Sequence, residues 1–166
     1  RLLHWLSTRL LLRTMLNTKE YIDCQFDEDG KPYLVNFDYH ISLSHSYDYA
    51  AVMISKTSAV GVDIELIKHK IKSIKHKFLS DIELAQKQIG DNTEGLYVAW
   101  CAKEAIYKWH GKKGLEFKQH IHIKPFKLKA EGCLNAIVEL PTGTRELTVS
   151  YFKTDDGYML GYVVSN

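Results

Sequence analysis

Apolar side chains open the chain at helical spacing. Leu2, Leu3, Leu6, Leu10 and Met15 recur every three or four residues, which predicts an amphipathic helix over residues 1–16, ended by Asn17-Thr18-Lys19. Asp27-Glu28-Asp29-Gly30 ahead of Pro32 is turn chemistry, and the segment lacks the downstream glutamate of a calcium loop. The period then shortens to two. Ile41–Ser44, Tyr49–Ser55 and Val60–Ile67 read as strands, with a turn at Thr57-Ser58. Residues 68–94 are polar, lysine-rich and predominantly helical in pattern, with a break at Gly90-Asp91-Asn92. Thr93 is the predicted cap of a helix running from Glu94 to His110, and Gly111 its stop. Candidate strands follow at Ile121–Lys129, Ala136–Glu139, Leu147–Lys153 and Tyr158–Val164. Pro141-Thr142-Gly143 and Asp155-Asp156-Gly157 supply their turns. The class is α+β.

Composition narrows this little. An apolar fraction of 45% in 166 residues supports one domain or two small lobes with a real core. No apolar run nears the roughly 20 residues of a membrane span. Leu10-Leu11-Leu12 is held between Arg9 and Arg13, with no small-residue cleavage site after it, so a secretory signal is not predicted. Cys24, Cys101 and Cys133 are scattered, which suits free thiols and, with the rest, a cytoplasmic location. The chain opens on Arg1 inside its first predicted helix, so a segment upstream is expected. The net charge of +2 hides a local basic stretch, Lys68, Lys70, Lys72, Lys75 and Lys77 with His69 and His76. A nucleic-acid module would use such a stretch, but the near-neutral total and the lack of aromatic residues among the lysines argue against one.

Candidate chemistry sits at three places. In Val62-Asp63-Ile64-Glu65-Leu66 the alternation puts Asp63 and Glu65 on one strand face, where two carboxylates can approach one Mg²⁺ or simply form a solvated acidic edge. Trp100, Glu104 and Lys108, four apart, share a helix face offset from Val98, Ala102, Ala105 and Trp109, and Lys103 adds a cation beside Glu104. Ser44-His45-Ser46 follows a strand. With Asp48 it admits a hydrolase reading, but adjacent Ser and His rarely orient as nucleophile and base, and a phosphate contact suits the pair better. His120 and His122 lack a third ligand at metal spacing and read as surface residues.

These signals occur together and in one order: Gly30-Lys31-Pro32-Tyr33, Ser44-His45-Ser46, Gly61-Val62-Asp63-Ile64-Glu65, Trp100-Cys101-Ala102-Lys103-Glu104-Ala105-Ile106-Tyr107-Lys108, then Gly111-Lys112-Lys113-Gly114-Leu115. In this the chain resembles the 4′-phosphopantetheinyl transferases of the surfactin-synthetase-activating type, over nearly its whole length. The resemblance implies a fold of two similar α+β lobes related by a pseudo-twofold, each a small antiparallel sheet with a packed helix. The N-terminal lobe would take residues 1–57, incomplete at its start. The C-terminal lobe would take 58–166 and carry the metal motifs.

The implied reaction transfers the 4′-phosphopantetheine arm of coenzyme A to a serine of an apo carrier protein and releases 3′,5′-ADP. Asp63, Glu65 and Glu104 are similar to the family's Mg²⁺ ligands. Glu104, directly or through a metal-bound water, would accept the serine proton, and Lys108 would contact the pyrophosphate and stabilise the leaving group. Arg9, Lys31, Ser44, His45, Lys103 and Lys108 resemble coenzyme A contacts, and Lys68–Lys77 the place where an acidic carrier docks on a monomeric enzyme. Two departures bear on the phosphate contacts: Ile41-Ser42 stand where the family has Phe-Asn, and Tyr47 where a Gly is usual. Alternatives are a family member that binds coenzyme A or a carrier without catalysis, and another Mg²⁺-dependent phosphotransferase, which would need a phosphate-cradling glycine loop that the sequence lacks. The carrier served could belong to fatty acid, polyketide or peptide synthesis.

Overall fold

The computed structural model describes residues 2–166. Helix α1 (Leu2–Leu16) is followed by two antiparallel hairpins, β1 (Cys24–Phe26) with β2 (Pro32–Leu34) and β3 (His40–Ser46) with β4 (Tyr49–Ser55). Strand β5 (Ala59–Leu66) leads to the short helices α2 (Ile71–Phe78) and α3 (Asp81–Leu84), then to α4 (Thr93–His110) and the single turn α5 (Phe117–His120). Strands β6 (Ile121–Ile123), β7 (Glu131–Leu140), β8 (Gly143–Lys153) and β9 (Tyr158–Ser165) complete a five-stranded antiparallel sheet in the order β5-β9-β8-β7-β6. The α+β class is as expected, with a helix beside antiparallel strands in both halves. The halves are unequal, because the first offers only two-stranded sheets.

The main core lies between α4 and the large sheet. Val98, Ala102, Ala105 and Trp109, the predicted inner face of α4, are all buried there, with Leu134, Val149 and Met159 from the strands. Helix and strand approach most closely at Gly61, where an added Cβ would lie 1.9 Å from the Ala105 carbonyl oxygen. Only glycine admits α4 at that distance. Gly111 ends α4 in the left-handed region, at φ +66°, donating its N–H to the Tyr107 carbonyl.

Several boundaries differ from expectation, each for a local reason. The cap of α4 is Asn92, whose side-chain oxygen accepts from the Gly95 N–H, and Thr93 is already helical. The lysine-rich segment breaks at Ser80 as well as before α4, because Ser80 and Glu83 form a reciprocal capping box that starts a new helix. Strand β6 stops at Ile123 since Pro125, just beyond, has no N–H for the ladder. The hairpin β7–β8 extends to Glu131 and turns tightly between Leu140 and Gly143. Helix α1 departs most from its pattern. None of its predicted apolar stripe is buried: Leu2, Leu3, Leu6, Leu10 and Met15 stand open to solvent, and the helix buries Thr8 and Leu12 instead.

Candidate active site

The site forms where β3, β5 and the outward face of α4 meet. Asp63 projects from β5 toward α4 and is 4% exposed. From α4, the Lys108 ammonium donates to Asp63 Oδ1 at 2.7 Å, to the Val62 carbonyl at 3.1 Å and to Ser44 Oγ at 3.0 Å. The same Asp63 oxygen accepts from Ser44 Oγ at 2.9 Å, and Glu65, two residues on, accepts from Ser46 Oγ at 3.0 Å. Asp63 Oδ2 is buried and has no hydrogen-bond partner. An orphaned buried carboxylate oxygen costs folding energy unless another group meets it.

Glu104 lies one helical turn before Lys108. Its carboxyl is pushed up to about 7, first by burial and then by the charges of Asp63 and Glu65, with Lys108 pulling partly the other way. Glu65 is also raised, by burial and by Asp63, against the hydrogen bonds from Ser46 and Trp100. The three carboxyls therefore feel one another, and mutual repulsion of this kind is relieved by a shared cation. Their oxygens are the hard donors that Mg²⁺ takes, and the bare Asp63 Oδ2 fits such a ligand. Among the described residues, however, no three His, Cys, Asp or Glu side chains are gathered closely enough to hold a metal ion.

A cleft of about 380 Å³ opens beside these groups, between α1, the β1–β2 turn, β3 and the C-terminal end of α4. Arg9, Lys31, His45 and Lys108 line it, together with Trp5 and Tyr107. Arg9 lies over the Trp5 ring at 5.1 Å and its guanidinium reaches the Cys24 carbonyl. Lys31 Nζ donates to the Trp109 carbonyl at 2.9 Å, at the negative end of the α4 dipole, and its stem crosses Gly111 where a Cβ would clash. Burial lowers the Lys31 pKa. His45 stacks on His4 with ring centroids 4.2 Å apart, and burial, His4 and Lys108 together lower its pKa. Four of the six residues expected to contact coenzyme A thus line one cleft.

The other two do not. Ser44 is buried, and its hydroxyl is taken up by Asp63, Lys108 and the Ile64 N–H. Lys103 points away altogether. Successive helical residues project roughly 100° apart, so Lys103 and Glu104 face different neighbours. The Lys103 ammonium is fully buried between α3 and α5, where it donates to both oxygens of Glu83 and to the Phe117 and Ile121 carbonyls. It is a structural cation and contributes nothing to the cleft.

Glu83, His4, Tyr107, Ser42 and the hydroxyl of Ser46 are not among the candidates that the sequence offers. The capping-box spacing of Ser80 and Glu83 and the alternation Ser42-x-Ser44-x-Ser46 were the available signals. The basic stretch lies apart from the cleft, largely exposed along α2, with Lys75 paired to Asp91 at 2.7 Å and Lys68 over the Tyr47 ring. No helix among the described residues is long and apolar enough to cross a membrane.

Residues 59–162 match the family model described as the 4′-phosphopantetheinyl transferase superfamily. Among similar proteins is a putative 4′-phosphopantetheinyl transferase of Haemophilus influenzae, 30% identical over 67% of this chain and 50% of its own length. The 4′-phosphopantetheinyl transferase Sfp of Bacillus subtilis is 25% identical over 91% of this chain and 69% of its own. The 4′-phosphopantetheinyl transferase gsp of Aneurinibacillus migulanus is 34% identical over 64% and 46%. The chain therefore spans about half the length of two of these relatives and somewhat more of the third. The matched region takes in β5 with Asp63 and Glu65 and α4 with Glu104 and Lys108, more than half of the chain, so the chain belongs to the 4′-phosphopantetheinyl transferase superfamily.

Proposed function

We propose that the chain transfers the 4′-phosphopantetheine arm of coenzyme A to a serine hydroxyl of an apo carrier protein, with Mg²⁺ held by Asp63, Glu65 and Glu104. The observation that carries this reading is the double position of Lys108, which lines the cleft and at the same time pairs with Asp63. A pyrophosphate lying in the cleft would then meet the Lys108 ammonium, with the Asp63 carboxylate directly behind it. When bound, the cation would supply Lewis-acid neutralisation of the pyrophosphate.

The serine oxygen forms a bond to the phosphorus that bears the pantetheine arm. The bond from that phosphorus to the oxygen of 3′,5′-ADP breaks. Glu104 accepts the hydroxyl proton as general base. Lys108 stabilises the charge that develops on the leaving oxygen. Arg9, Lys31 and His45 offer the remaining positive or hydrogen-bonding groups for the phosphates. An acidic carrier would dock on the exposed basic stretch Lys68–Lys77, charge attraction setting encounter rate and orientation.

The test is intact-mass spectrometry of apo acyl carrier protein incubated with the chain, coenzyme A and Mg²⁺. Glu104→Ala and an EDTA-treated sample run alongside. A gain of the phosphopantetheine mass that is lost in both controls supports the reading. A gain that survives EDTA removes the cation from it, and no gain with any of several carriers overturns it.

A further inference from the structure

Three serines bridge the hairpin β3–β4 and the large sheet. Ser42, Ser44 and Ser46 alternate along β3, and their hydroxyl oxygens accept from the β5 backbone N–H groups of Val62 at 3.0 Å, Ile64 at 3.2 Å and Leu66 at 3.1 Å. Partner numbers rise together on both strands, so β3 and β5 run in the same direction. Side-chain hydroxyls meet the N–H groups that an open sheet edge would otherwise expose.

A serine hydroxyl has one hydrogen and two lone pairs. With a lone pair engaged by β5, the hydrogen is free for another acceptor. Ser44 gives it to Asp63 Oδ1 and Ser46 to Glu65 Oε2. The first rung has no such acceptor: the residue before Val62 is Gly61, kept free of a side chain by the passage of α4. The same backbone bond therefore occurs twice with a carboxylate and once without.

We propose that Ser46 is a positioning residue for Glu65, and Ser44 for Asp63. Each hydroxyl holds one oxygen of its carboxylate, and Asp63 keeps the other bare. The inference rests on the reading of these carboxylates as cation ligands. Both serines are buried, so solvent does not compete for the hydroxyl. Ser44 also accepts from Lys108, which would mix two effects in any variant. Ser46 gives the cleaner test, and Ser42 is its matched control.

The experiment is a titration of the full chain with Mn²⁺, which accepts the same oxygen donors as Mg²⁺, following the free ion by electron paramagnetic resonance. Ser46→Ala is expected to weaken Mn²⁺ binding about ten-fold or more, the usual effect of removing a hydrogen bond to a metal ligand. Ser46→Thr, which keeps the hydroxyl, restores it. Ser42→Ala loses an equivalent backbone bond and keeps wild-type Mn²⁺ affinity. Thermal unfolding of each variant confirms that folded protein is compared. Should Ser46→Ala not fold, Ser46→Cys keeps the volume with a weaker donor and is expected to show the same direction of change. Wild-type affinity in the Ser46 variant, or equal weakening in Ser42→Ala, overturns the inference alone. No Mn²⁺ binding by the wild-type chain overturns the cation reading and the inference with it.

Discussion

Lys103 Nζ lies 2.8 Å from Glu83 Oε1, and the two side chains are 0% and 2% exposed. The pair is held from all sides. Glu83 also accepts from the Ser80 and Ile123 N–H groups, and Lys103 donates to two carbonyls. It ties α3, α4, α5 and β6 into one unit behind the face of α4 that carries Glu104 and Lys108.

Breaking that pair leaves a buried, uncompensated charge. Glu83→Gln or Lys103→Met is expected to lower stability by about 3–5 kcal/mol, read from the urea midpoint. Coenzyme A affinity of the remaining folded protein, measured by calorimetry, is expected to match wild type. A specific loss of that affinity would return Lys103 to the phosphate contacts.

Gly61→Ala tests the approach of α4 to β5. A Cβ 1.9 Å from the Ala105 oxygen must push the helix away, and backbone on both sides leaves no flexible side chain to yield. A loss of about 2–3 kcal/mol is expected in chemical denaturation, at the upper end of the usual cost of overpacking. Since Asp63 and Lys108 meet across this contact, their separation should also grow in a structure of the variant.

In the absence of divalent cations, stability should fall as pH rises through neutrality. Glu104 is raised in the folded chain to about 7 from its ordinary 4.5, so between those values the folded protein holds a proton that the unfolded chain has released. The contribution is full below about pH 4.5 and is lost as pH rises through about 7. A fall of about 2 kcal/mol is expected in EDTA, after discounting for solvent at a partly exposed side chain. Glu104→Gln should flatten the profile over this range. An unchanged slope in that variant would place the titration elsewhere.

Replacing Lys72 and Lys75 with Glu is expected to raise KM for the carrier protein several-fold at low salt, with KM for coenzyme A unchanged. The difference should shrink as ionic strength rises. Equal effects on both substrates would remove the basic stretch from carrier docking. Because Lys75 also pairs with Asp91 at the surface, unfolding should be followed in parallel, where a change of about 1 kcal/mol or less is expected.

Local chemistry was legible in the sequence wherever it depends on neighbours along the chain. The alternation around Asp63 and Glu65 placed both on one face of β5. The i,i+4 spacing of Glu104 and Lys108 placed them on a face of α4 offset from Val98 and Ala105, and Gly111 marked the helix end. Strand β4 falls at its expected residues. These features follow from the periods of helix and strand and from the freedom of glycine, none of which needs a distant partner.

What lay outside the sequence depends on what comes to rest against each element. Lys103 and Glu104 are adjacent in the chain, yet one is sealed against Glu83 and the other lies beside Asp63, because helix rotation aims them at different neighbours. The apolar stripe of α1 reads as a core face and remains largely exposed, since periodicity states which side could be buried and not what covers it. Ser44 reads as a phosphate contact and proves to bond Asp63, Lys108 and the β5 backbone, a role set by a strand twenty residues further along. Residue identity and periodicity were enough to fix the candidate groups and the faces that carry them. Tertiary packing alone decided which of those groups meet in the cleft, because the energy of a buried charge or hydroxyl is settled by the partner it finds there.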